Sequence, residues 1–359
     1  MDKFKENNNV LSMFGLTREQ LGILFSIEKL LVEKDIEASK KRKAEKLMWL
    51  NGWSSSILDY LNNDSSEKEF NFMPLVEIID KIGEQNSKSI NNTWYYLTIL
   101  EATLFEPYTA LGKNKDDDKT FSKLKYKDDD KINFIKSMVK NSEIMDEMFV
   151  DRFKDTYKKS LNKISGRFTK IALRVVSVVA IGAIAAATAG AGAGAIAVAL
   201  FGANFPGLAG AALTSACLAM AGGGAIAVGG AGMAGGAMAI VGGGALLGTA
   251  VGGATVGATS LFVSSIPQLT LTQAAKLEVV LKEIVINAQE DIKSAQEVLA
   301  NYKDQIVKLN GELGKLKLSK EKNKDEIKNM KKSIEYMEKA YKDIMVFLSS
   351  YEIGIMHED

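Results

Sequence analysis

The chain has 359 residues, enough for two domains of ordinary size, with 45 basic residues, 44 acidic residues and a formal net charge of +1. A single cysteine, Cys217, excludes an intramolecular disulfide; with a single histidine, His357, it also excludes a zinc cluster and a Cys/His nucleophile–base pair. The charge total says little, but its distribution says much: from Val175 to Ala275, 101 consecutive positions, no residue is charged.

In chain order, the first nine residues contain Asp2, Lys3, Glu6 and three asparagines where a secretion signal needs an apolar core. The expectation is synthesis in the cytoplasm without a cleavable signal, with any export by a non-classical route. Thr17 and Gln20 have capping-box spacing, and the apolar residues Leu21, Leu24, Phe25, Leu31, Leu47, Trp53, Ile57 and Leu61 predict one helix running to Leu61. Within it Lys40, Lys41, Arg42 and Lys43 form a basic cluster. It reads as a solvated helix face, with contact to anionic lipid or to nucleic acid as the alternatives. A polar loop follows over 62–69. A second helix is expected from Pro74 to about Phe105, with Ile78, Ile82, Trp94, Leu97, Leu100 and Leu104 on its apolar face. Trp49, Trp53, Trp94, Tyr95 and Tyr96 are expected in the core, the alternative being interfacial anchors.

Two runs of three aspartates, Asp116–Asp118 and Asp128–Asp130, lack the glycine and distal glutamate of a calcium loop. Residues 112–131 are expected as a solvated loop. A third helix is predicted from Ile132 into the apolar run, with Tyr157, Leu161, Ile164, Phe168 and Ile171 forming a seam of alternating four- and three-residue steps. After the run, one heptad position reads Val285, Ile292, Leu299, Ile306, Leu313, Lys320, Ile327, Ile334, Tyr341, Leu348. The other reads Ala288, Ala295, Tyr302, Leu309, Leu316, Asn323, Met330, Met337, Ile344, Tyr351. Lys320 and Asn323 break the seam together. They mark a polar layer or a reversal, and the lack of Pro or Gly between Lys315 and Asp325 favours continuity.

The uncharged run is too long for one membrane crossing, since a helical span needs about 20 apolar residues. Turns are expected at Asn204–Gly207, Gly222–Gly224 and Gly242–Gly244, giving stretches of 175–201, 208–221, 225–241 and 245–266 and an even number of crossings. Val175, Val179, Ile184, Ile196, Leu200, Phe201, Leu246, Leu247, Val251, Leu261 and Phe262 are the candidate membrane-inserting residues. Arg167, Lys170 and Arg174 before the run and Lys276 after it are the candidate flanking charges, which place both arms on one side. Glycine supplies 22 residues between Ile171 and Ile266 and dilutes the drive for insertion, so the run suits a conditional membrane segment. Gly190/Gly194, Gly232/Gly236, Gly253/Gly257 and the row Gly244/Gly248/Gly252 have the spacing that lets membrane helices pack closely. Gly230, Gly232 and Gly235 match a dinucleotide fingerprint in form, but the acidic ribose ligand is missing. No catalytic, cofactor or metal site is expected, and neither nucleic acid nor a small-molecule substrate is an expected partner.

The expected fold class is all-α: an elongated bundle of long amphipathic helices with a Gly/Ala-rich hydrophobic helical hairpin insert. It divides into an N-terminal helical arm (1–174), a hydrophobic membrane-inserting head (175–275) and a C-terminal coiled-coil-like arm of the same bundle (276–359). A long arm, an apolar Gly/Ala insert and a second long arm form an outline that resembles the α-helical pore-forming toxins of the cytolysin A type, including the haemolysin BL and non-haemolytic enterotoxin components. The resemblance implies that 132–174 and 276–351 correspond to long tail helices and 175–266 to a tongue, hidden against the bundle in the soluble form and inserted on oligomerisation. It implies the lipid bilayer as partner, with further copies or companion toxin components. Two other readings compete: an intracellular multi-span effector that permeabilises its own cell's membrane, and a coiled-coil scaffold that binds a membrane without permeabilising it.

Overall fold

The computed structural model describes residues 16, 18–62, 69–108, 111, 115–166, 267–318 and 324–356, and these are all-helical without a strand. Two helices take the place of the single one expected from Thr17 to Leu61: α1 (Arg18–Ala38) and α2 (Lys43–Leu61). The chain folds back at Ser39–Arg42. Ser39 Oγ donates to Asp35 O (2.6 Å), satisfying a carbonyl at the end of α1, and Arg42 takes a left-handed conformation at φ 58°. The reversal brings Phe25 edge-on to Trp53 at 6.3 Å between ring centroids. The expected helix from Pro74 to Phe105 likewise splits into α3 (Leu75–Lys88) and α4 (Thr93–Leu104). Eight consecutive residues of α4, Thr93 to Leu100, are buried, so this helix is covered on every side.

The aspartate-rich stretch is a correction. Instead of a loop it contributes the short helix α5 (Lys115–Phe121) and the first turn of α6 (Asp128–Ser142). Both aspartate triplets lie in first turns, where a carboxylate is favoured by the exposed backbone N–H groups. α7 (Met148–Ser165) carries the Tyr157, Leu161, Ile164 part of the expected seam, but it does not continue unbroken into the apolar run. It ends at Gly166, which sits at φ 68° and donates its N–H to Asn162 O (3.1 Å), the left-handed stop that glycine accepts without strain.

After the run, α8 (Pro267–Val279) passes directly into a wider π-helical segment, Val280–Ile286, all seven residues of which are buried. Glu290 then turns the chain at φ 54°, and Asp291 caps α9 (Ile292–Leu318) by accepting from Ser294 N (3.0 Å) and Ser294 Oγ (2.6 Å). α10 (Lys324–Met356) packs against α9 as well as against α8. A continuous rod from Ala274 to Tyr351 is therefore excluded: Glu290 turns the chain before α9, and α9 and α10 run antiparallel, with Gln296 Nε2 donating to Glu352 Oε1 (2.8 Å); Lys320 and Asn323 lie outside the described residues. The heptad residues themselves are buried as expected: Leu299, Leu309, Leu313, Met330, Met337, Ile344 and Leu348 all lie in the core.

The five aromatic residues weighed as interfacial anchors are core residues, with Trp49, Trp53 and Tyr95 fully buried. Trp49 stacks on Trp53 at 5.9 Å and meets Tyr108 edge-on at 5.4 Å, tying α1, α2 and the segment after α4 into one cluster.

Candidate functional site

The described residues before and after the apolar run are those of α7, which ends at Gly166, and of α8, which begins at Pro267. α7 and α8 run antiparallel, because Ser160 Oγ donates to Glu278 Oε2 (2.6 Å) and Thr156 Oγ1 to Glu283 Oε1 (2.6 Å). The C-terminal end of α7 and the N-terminal end of α8 therefore lie at the same end of the pair. α10 runs parallel to α8, with Thr270 Oγ1 bonded to Ser333 Oγ (3.0 Å) and Lys282 Nζ to Asp343 Oδ2 (2.6 Å). Lys339 Nζ of α10 donates to Ile164 O (3.2 Å) and so caps α7 one residue before its end.

Beneath this root lies a buried ionic network. Glu278 is fully buried and accepts from Ser160 Oγ and from Lys282 Nζ (2.9 Å). Lys282 reaches on to Asp343, which also pairs with Lys163. One turn further along, Glu283 holds Arg152 at 2.5 Å. Taking these charges out of water is costly, and their mutual contacts offset that cost only while every partner is present. The Tyr302 hydroxyl and Glu278 Oε1 are both buried with no hydrogen-bond partner among the described residues. Burial, then the Glu278 charge, holds the Tyr302 hydroxyl well above its ordinary pKa.

A second charged group sits between α1, α4 and α8. Lys276 Nζ is 2.5 Å from Glu101 Oε2 and its residue is 6% exposed. Lys276, the candidate flanking charge after the run, is buried in the helical core, where its partner is Glu101 of α4. Glu28 lies within the field of Glu101, Lys276 and Lys131. Burial, reinforced by Glu101, pushes its carboxyl well above the usual carboxylate range against the opposing pull of the two lysines. Lys131 is itself buried, donating to Thr103 O (2.8 Å) and Phe105 O (2.9 Å), and burial lowers its pKa.

Of the uncharged run, residues 267–275 are described. They form most of α8, and Thr270, Leu271, Thr272, Gln273, Ala274 and Ala275 are buried against protein. The membrane-inserting candidates Val175, Val179, Ile184, Ile196, Leu200, Phe201, Leu246, Leu247, Val251, Leu261 and Phe262 lie outside the described residues. The candidate packing glycines also lie outside them: the pairs Gly190 and Gly194, Gly232 and Gly236, Gly253 and Gly257, and the row Gly244, Gly248 and Gly252. So do the flanking Arg167, Lys170 and Arg174. Among the described residues no helix is long and apolar enough to cross a membrane, and no His/Cys/Asp/Glu group is placed to hold a metal ion.

Sequence reasoning missed the buried charges. One signal was present: the heptad position of Val285 extended back by seven residues falls on Glu278, a carboxylate on the seam itself. No protein-family model, curated protein or solved structure matches the chain.

Proposed function

We propose that the chain is a membrane-inserting α-helical pore-forming protein, a toxin or toxin component, that permeabilises a target membrane after its apolar hairpin is exposed and copies assemble. The observation that carries this reading is the uncharged run of 101 residues, attached to the packed helices at neighbouring ends of an antiparallel pair. A segment tethered at both ends to one end of a helical body can leave and return as a hairpin without unravelling that body. Water is a poor solvent for such a run, and a bilayer is a good one. The small faces of Gly244, Gly248 and Gly252 then serve helix packing within lipid. The outline of two helical arms about an apolar insert, which resembles the cytolysin A type, supports an elongated bundle in which the arms form the tail.

The test is release of dye from liposomes by detergent-free protein, with Leu247→Asp and Val251→Asp as variants. A carboxylate at the centre of a span costs about 3 kcal/mol, so each variant is expected to release dye at least ~10-fold more slowly than the wild type. Absence of release at every concentration, alone and with companion proteins, rejects the pore reading. Fractionation separates the competitors. The pore former is soluble before it inserts, the multi-span effector is integral from the start, and the scaffold binds liposomes without leakage.

A further inference from the structure

The α9–α10 pair meets the rest of the molecule along one seam. α9 packs on α10 and on the π segment, and α10 packs on α7, α8 and the π segment. α10 therefore spans both helices that flank the uncharged run. It holds α7 through Lys339, which donates to Ile164 O (3.2 Å), and through Asp343, which pairs with Lys163. It holds α8 through Ser333, whose Oγ is 3.0 Å from Thr270 Oγ1, and the π segment through Asp343, which also pairs with Lys282 at 2.6 Å.

What the pair helps to cover is the end of the run itself. Residues 267–275 carry no charge, and every residue from Thr270 through the π segment to Ile286 is buried. The seam that covers them is rich in polar contacts: the hydroxyl pair, the Lys163–Asp343–Lys282 ions and the Lys339 cap lie along it. Buried ion pairs add little net stability over apolar packing, because desolvation offsets their attraction. The seam also leaves polar atoms unsatisfied. Glu278 Oε1 of α8 and the Tyr302 hydroxyl of α9 are buried without a hydrogen-bond partner among the described residues. They are near each other, since the Glu278 charge acts, after burial, on the Tyr302 hydroxyl. Each forfeits a hydrogen bond it would make with water, and separation of the seam returns both bonds. The same seam follows Val280–Ile286, whose π geometry is rare and recurs at functional positions.

We propose that the α9–α10 pair is an autoinhibitory clamp on the uncharged run. Closed, it fixes α7 and α8 side by side and keeps residues 270–275 in protein. Open, it frees the start of α8 to follow the run into lipid, and the first charge on that path is Lys276. The clamp rests on the proposed pore activity and supplies its control: α8 stays in place until α10 releases Thr270 and Lys282.

The experiment uses the full chain and vesicles of phosphatidylcholine with phosphatidylglycerol. Thr270→Cys/Ser333→Cys, with the native cysteine removed by Cys217→Ser, places two sulfurs where hydroxyl oxygens stand 3.0 Å apart, close to the ~2 Å of a disulfide. The disulfide form is expected to release dye at least ~10-fold more slowly than the same variant after reduction, because the link removes the open population. In the wild type, acylation of Lys282, which is 8% exposed, is read by mass spectrometry with and without vesicles. Vesicles are expected to raise labelling of Lys282 and to leave Lys131, held by Thr103 O and Phe105 O, unlabelled. Equal dye release by the disulfide and reduced forms overturns the clamp and leaves the pore standing. Should the cysteine variant fail to fold, the wild type decides: dye release with unchanged Lys282 labelling overturns the clamp. A rise in Lys282 labelling without dye release leaves the clamp standing and rejects the pore. Neither labelling nor release rejects both.

Discussion

Glu28 shows how a single carboxyl can set the pH response of a helical protein. Its folded-state pKa is raised, first by burial and then by Glu101, while in the unfolded chain it titrates as an ordinary glutamate. The contribution of the neutral carboxyl is therefore fully present below the unfolded pKa and is lost as pH rises through the raised folded value. Glu28→Gln keeps the shape without the charge. The difference in melting temperature between variant and wild type is expected to grow in the variant's favour from about pH 4 to about pH 8. A flat difference across that window, measured by circular dichroism, would show that Glu28 is ionised in the fold and matched by Lys276 and Lys131. The residue scale is also where sequence reading was weakest. Glu28, Asp35, Lys131 and Glu278 are charged letters in a sequence rich in charge. Nothing in their spacing separates a buried carboxylate from a solvated one until its partners arrive from other helices.

At the scale of elements, the root of the apolar run depends on three helices, α7, α8 with its π continuation, and α10, locked by Ser160, Lys163, Glu278, Lys282 and Asp343. Lys282→Met leaves Glu278 fully buried with Ser160 as its remaining donor and is expected to destabilise the fold by about 3–5 kcal/mol. Adding Glu278→Leu removes the uncompensated charge, so the double variant is expected to recover most of that loss. Urea midpoints of the two single variants and the double variant check the coupling, and additive losses would mean that the pair does not act as a unit. Helix number was misread for a related reason. The pattern from Leu21 to Leu61 has one period throughout, and a helix that folds back on itself at Ser39–Arg42 keeps that period in both halves. Amphipathic spacing reports which face is apolar and not whether that face meets a neighbour or its own continuation. Gly166 stops α7, although the seam of Tyr157, Leu161 and Ile164 predicted a helix running past it.

For the molecule as a whole, the arms on either side of the apolar run form one packed body, since α7 and α4 both contact the α8–π segment. Replacing residues 167–266 by a flexible linker of about eight residues is expected to leave this body folded, because short connections suffice between antiparallel neighbours. Circular dichroism and size-exclusion chromatography of that deletion variant check the expectation, and an unfolded or aggregated product would mean that the apolar run contributes to the soluble core. The amino-acid sequence by itself determined the helical character, the heptad seam of the C-terminal arm and the position of the uncharged run, because each is a matter of local periodicity or composition. Only the tertiary structure decided that the seam doubles back between α9 and α10, that the helices flanking the run, α7 and α8, form an antiparallel pair, and that Lys276 is a core residue while Lys40 and Lys41 lie in the α1–α2 turn. Those facts depend on which helices share a surface, and helices of the same period are interchangeable until side chains from distant positions are brought within bonding distance.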